Sequence, residues 1–172
     1  ILINEEDEVI SDKEVVMTKF SSISRGLKYV NLFNHPTWMF RSKVLEKVPE
    51  YNEVPMAEDY DFICRLVVKG FVCVNIQDNL LCYRLRTSSI SRSNELYQKK
   101  VALYLAKVYK KGLKKQDMSI NIEYVKGLRP SDKEYIRYNK ANSLKEKGKG
   151  LIRKKRVLSG SALFLASMFI SK

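Results

Sequence analysis

Residues 57–86 constrain the fold more than any other part of the chain. Glu58, Asp59 and Asp61 stand where a helix would begin, and Phe62, Ile63, Leu66 and Val67 fall on one face at helical spacing. Gly70 occupies the place of a left-handed C-cap. Two runs suited to strands follow, residues 71–76 and 80–86, parted by the turn residues Gln77, Asp78 and Asn79. A helix followed at once by two strands indicates an α/β domain.

The upstream sequence supplies companions for these elements. Ile1, Leu2 and Ile3, the acids at 5–8, and then Val9 and Ile10 predict an edge hairpin. Apolar residues recurring every three or four positions over 15–32 predict one helix, weakened by Ser21, Ser22 and Gly26. Residues 37–40, just after Pro36, suit the opening of a buried strand. Ser42 is placed to cap a short helix that Pro49 ends.

Charge divides the chain in two. Residues 1–94 carry 12 basic against 13 acidic side chains and residues 95–172 carry 20 against 6, net charges of −1 and +14. We therefore place a domain boundary at 94/95, with residues 95–172 as a basic helical extension. Within it, residues 96–109 predict a helix with a lysine-rich face, and Ser131 with Glu134 forms the sequence of a capping box opening a helix through Leu144. The dense basic run at 145–156 precedes an apolar stretch of 14 residues, 157–170, short of the roughly 20 that a membrane-spanning helix needs. One reading lays this segment on an anionic membrane surface; another packs it on residues 1–94 with a solvated lysine face. The chain opens on Ile1 without the features of a signal peptide, so a fragment is expected. Cys64, Cys73 and Cys82 are too widely spaced for a structural zinc, with one histidine in the chain, and read as buried reduced thiols of a cytoplasmic protein.

The acids are the candidate chemistry. Successive helix positions lie about 100° apart, so Glu58, Asp59 and Asp61 cannot share one role. Each is open to the plainer reading of a charge complementing the helix dipole. What favours chemistry is their company: a proline-containing loop before them, and after them Arg84, Arg86 and the hydroxyl-rich residues 87–91. A base near a cationic, hydroxyl-rich segment suits group transfer from a phosphorylated donor, because guanidinium forks hold phosphate oxygens. His35 also reads as a turn residue, Trp38 as core, and Arg84 and Arg86 as strand-end charges.

Four segments together carry a family resemblance: Asn34-His35-Pro36-Thr37-x-Met39-Phe40-Arg41, Ala57-Glu58-Asp59-Tyr60-Asp61-Phe62-x-x-Arg65-Leu66, Leu80-Leu81-x-Tyr83-Arg84, and Ser88-Ser89-Ile90-Ser91. In order and spacing they resemble the C-terminal, acceptor-side half of a family-2 glycosyltransferase of the GT-A fold, over about residues 1–94. The resemblance implies a partial GT-A-like sheet with flanking helices. It also implies inverting transfer of a sugar from a nucleotide-diphosphate donor to an acceptor hydroxyl, in cell-surface polysaccharide or glycoconjugate synthesis. By the family's Glu-Asp motif, Asp59 is the catalytic base and Glu58 helps bind acceptor and orient it, while Asp61 packs or caps; beside them His35, Trp38, Arg84 and Arg86 are the candidate substrate-binding residues.

Two departures follow from the same comparison. The family's Asp-x-Asp motif, which holds a divalent cation (Mn or Mg) against the donor diphosphate, does not precede the Glu-Asp segment here. No residue of the chain is therefore assigned to metal, and the isolated chain is expected to be inactive. Where many relatives carry a histidine, this chain has Arg86. The implied partners are the nucleotide-sugar donor and an acceptor sugar or lipid-linked glycan; the basic C-terminal tail adds an anionic membrane surface, at the inner face of the cell membrane. The competing reading is a non-catalytic basic module that binds such a surface or nucleic acid; against nucleic acid stands the lack of any zinc-finger spacing or RNP-type aromatic signature.

Overall fold

The computed structural model describes residues 1–11, 16–85, 94–153 and 157–170. They form two compact units, Ile1–Arg129 and Pro130–Lys172.

In the first unit, β1 (Leu2–Ile3) and β2 (Val9–Ser11) make the expected antiparallel hairpin, with Asp7 left-handed in its turn. β3 (Tyr83–Arg84) adds to the other edge of β1 in parallel, so the small sheet runs β2-β1-β3. Parallel neighbours need a long crossover. Here it contains α1 (Phe20–Gly26), two 3-10 turns at His35–Thr37 and Ser42–Glu46, and α2 (Glu58–Val68).

α2 is the pillar of this unit. Eight of its eleven residues are buried, and its end is the one the glycine foretold: Gly70 takes φ 88°, its N–H donates to the Val67 carbonyl, and the Phe71 N–H reaches the Leu66 carbonyl. Those paired bonds close a Schellman motif, for which glycine pays no Cβ penalty. α3 (Glu95–Lys115) packs on α2, and Gly112 permits the approach: a Cβ there would meet the Asp117 carbonyl oxygen at 2.8 Å and Val68 at 3.4 Å. The unit thus runs past residue 94. Tyrosine hydroxyls fasten its elements, Tyr60 to the Leu27 carbonyl, Tyr109 to that of Ser24, and Tyr97 to that of Val125 in α4 (Ile122–Gly127).

Several expectations are corrected. The helix forecast over 15–32 shrinks to α1 within the residues described, its last glycine packed under Leu32. Residues 37–40 form no strand, and Met39 and Phe40 are exposed. Ser42 starts a 3-10 turn instead of capping a helix. Residues 71–76 keep the alternation of a strand, with Val72, Val74 and Ile76 outward and Phe71, Cys73 and Asn75 half-covered, yet among the described residues no neighbour pairs with them. Alternation comes from the chain itself, whereas a ladder needs a second backbone. The run at 80–86 shortens to β3 for the same reason. Among the thiols, Cys64 is buried, Cys73 half-buried with its pKa pushed up to about 11 by burial, and Cys82 exposed.

The second unit is a helical hairpin, α5 (Asp132–Arg153) and α6 (Val157–Ile170). Its capping box is formed: Glu134 accepts from the Ser131 N–H at 2.8 Å, and Ser131 Oγ receives the Glu134 N–H at 3.4 Å. α5 continues nine residues beyond Leu144.

Candidate functional site

The entrance to α2 is set by an unusual turn. Met56 adopts φ 64°, a left-handed conformation that costs a non-glycine residue about 1 kcal/mol. Gln98 of α3 holds its carbonyl at 3.0 Å. Ala57 offers no capping side chain, so the acids of the first turn face the open end of the helix dipole.

The three carboxylates part as their spacing requires. Asp61 is fully buried; its Oδ2 receives Asn52 Nδ2 at 3.0 Å and Arg65 Nε at 2.9 Å, while Arg65 also donates to the Glu50 carbonyl at 2.8 Å. Burial pushes its pKa up and Arg65 opposes this. Asp61 is a structural tie between α2 and the preceding loop, in keeping with its expected packing role. Glu58 is exposed at the rim.

Asp59 lies between these extremes. It is half-buried and lines a cleft of about 1370 Å³ together with Glu58, His35 and Trp38. Its Oδ2 receives Asn31 Nδ2 at 3.0 Å and its Oδ1 the Tyr60 N–H at 2.7 Å. The Asn31 amide is itself oriented, because its oxygen takes the Phe33 N–H at 3.1 Å. Among the described residues no lysine or arginine pairs with Asp59. Burial raises its pKa above the usual carboxylate range, the Tyr60 N–H pulls it down, Glu58 pushes it up, and His35 lowers it. A held but unpaired carboxylate with a raised pKa is a better proton acceptor than a solvated one.

An aromatic wall stands beside it. His35 shares a hydrogen bond with the Tyr51 hydroxyl at 3.1 Å and lies 4.6 Å from the Trp38 ring; Tyr51 stacks on Phe62 at 4.5 Å, with the Arg65 guanidinium 5.5 Å from the Phe62 centroid. Burial raises the Tyr51 pKa, and the charges of Asp59 and then Glu58 raise it further, which puts this phenol in the field of both acids.

Of the residues singled out from sequence, Asp59, Glu58, His35 and Trp38 come together on the cleft. Arg84 does not join them. Its guanidinium donates to the carbonyls of Asn4 and Glu5 and pairs with Asp7, so it closes the hairpin turn, a correction to its expected place in the substrate site. Arg86 and residues 88–91 lie outside the described residues. Asn31 and Tyr51 were not foreseen: they stand 28 and 8 positions from Asp59, and no local pattern marks either. A magnesium-type cation keeps several waters and is held by one or two carboxylates together with substrate phosphates. Among the described residues no three His, Cys, Asp or Glu side chains gather into a metal site.

The geometry defines a cleft with an oriented, half-buried carboxylate and an aromatic flank. No family model matches the chain, and no solved structure matches it. The chain is similar to two glycosyltransferases over about two thirds of its length. The O-antigen biosynthesis glycosyltransferase WbnJ of Escherichia coli is 35% identical over 115 residues, which cover 64% of this chain and 43% of that protein. The uncharacterized glycosyltransferase MJ1057 of Methanocaldococcus jannaschii is 28% identical over 114 residues, covering 65% and 39%. The match thus spans about two fifths of each relative's length.

Proposed function

We propose that this chain is the acceptor-side part of an inverting, family-2-like glycosyltransferase of the GT-A type. Its reaction is transfer of a sugar from a nucleotide-diphosphate donor to a hydroxyl of a glycan or lipid-linked glycan, in cell-surface polysaccharide synthesis at the inner face of the membrane. Asp59 takes the proton of the acceptor hydroxyl as its oxygen attacks the anomeric carbon. The bond from that carbon to the diphosphate oxygen breaks, and the nucleoside diphosphate leaves with the electron pair. Glu58 and the wall of His35 and Trp38 hold the acceptor, with the Tyr51 hydroxyl bracing His35, since sugar rings present C–H faces that suit aromatic surfaces and hydroxyls that suit carboxylates.

The observation that carries this reading is the state of Asp59: on a cleft, fixed through both oxygens, and free of an ion pair among the described residues. Similarity to two glycosyltransferases supports it from outside the geometry. Such a base contributes about 10²–10⁴-fold. The test uses the gene product that carries this sequence, given a panel of nucleotide-sugars, glycan acceptors and Mn²⁺ or Mg²⁺. Transfer by the natural protein and its loss in Asp59→Asn are expected; equal turnover by both would remove Asp59 from the mechanism.

A further inference from the structure

The second unit carries a surface that the cleft does not use. Along α5, Ala141 and Gly148 are buried one heptad apart, where small side chains let a neighbouring helix approach. Lys133, Arg137, Lys140 and Lys147 follow another line. Their steps of four, three and seven residues bring them within about 40° of a common direction on the helix. All four are exposed, and among the described residues none is in ion-pair contact with a carboxylate. Glu146 pairs instead with Lys149.

α6, which packs along α5, has the opposite character. It contains no charged residue, and Phe164 and Leu165 are 36% and 55% exposed. At 1.5 Å per residue it is about 21 Å long, below the roughly 30 Å of a hydrocarbon core. No helix among the described residues is long and apolar enough to cross a membrane.

We propose that this hairpin docks on an anionic phospholipid bilayer surface, with Lys133, Arg137, Lys140 and Lys147 on the headgroups and Phe164 and Leu165 at the acyl boundary. Charge complementarity selects this occupant. Duplex nucleic acid would satisfy the cations but gives nothing to an uncharged apolar helix, and a second copy of the chain would bring like charge against like charge. A lipid interface offers anions and hydrocarbon side by side. The inference is independent of Asp59.

Flotation of the whole chain with vesicles tests it. Binding is expected to phosphatidylcholine vesicles doped with phosphatidylglycerol, not to phosphatidylcholine alone, and to weaken with added salt. Replacing Lys133, Arg137, Lys140 and Lys147 by Gln should weaken partition roughly 10²–10³-fold, since each such cation contributes about a fivefold factor. Neutralising Lys110, Lys111, Lys114 and Lys115 of α3, the same change in net charge, should cost far less. Leu165→Ser tests the apolar half with every charge in place and should reduce binding several-fold, with helix content checked by circular dichroism for each variant. Four results would each overturn the proposal: no binding to the anionic vesicles, equal binding to neutral ones, equal losses from the two lysine sets, or duplex DNA held as tightly as the anionic vesicles and displacing them.

Discussion

Asp59 and Asp61 are two residues apart and should fail in opposite ways, and Arg65 is the lever that shows it. Replacing Arg65 by Met keeps the aliphatic stem against Phe62 but deletes the guanidinium that donates to Asp61 at 2.9 Å. The buried carboxylate then retains Asn52 alone, while its other oxygen is already buried without a partner among the described residues. Breaking one partner of a buried pair costs about 3–5 kcal/mol, here about 10 °C or more in melting temperature for a chain of this size. The loss should depend on pH. The folded-state pKa of Asp61 already lies above its unfolded value, with burial the first cause, and removing Arg65 raises it further. A carboxyl raised in the folded state contributes stability fully present below the unfolded pKa and lost as pH rises through the folded one. The gap between Arg65→Met and the natural chain should therefore be widest near neutrality and narrow on acidification toward pH 4. Urea unfolding at a series of pH values, followed by circular dichroism, measures it. A deficit below about 1 kcal/mol, or one unchanged between neutral and acid pH, would refute the account of Asp61 as a buried, pair-dependent anion.

Asp59→Asn should behave differently. Its carboxyl is also raised on folding, so charge at this site opposes stability as pH rises, and the amide should leave stability at neutral pH equal or higher while transfer falls about 10²–10⁴-fold. Asn31→Leu removes the donor to Asp59 Oδ2 and should move the Asp59 titration midpoint upward, read by carbon-13 NMR of the carboxyl; an unmoved midpoint would show that the Asn31 contact does not tune this carboxylate. Two glycines should separate by mechanism under thermal melting. Gly70→Ala meets no atom within 4 Å and pays for its left-handed φ alone, about 1 kcal/mol, whereas Gly112→Ala drives a Cβ onto the Asp117 carbonyl and should cost about 1–3 kcal/mol.

What the sequence by itself determined was local. The acids and Gly70 bound α2 because dipole and left-handed C-cap act within a turn, and Ser131 with Glu134 start α5 by the same short reach. The separation of Asp59 from Asp61 was legible too, since two helix positions differ by about 200°. Tertiary structure supplied the surroundings that put Asp59 on the cleft and made Asp61 the buried tie. Those surroundings rest on Asn31 and Asn52, supplied by two different loops, and on Arg65 one turn along. It also decided that Arg84 serves the hairpin and that residues 71–76 alternate without a ladder. A hydrogen bond between segments distant in sequence is fixed by how the chain packs, and composition and periodicity carry no record of it.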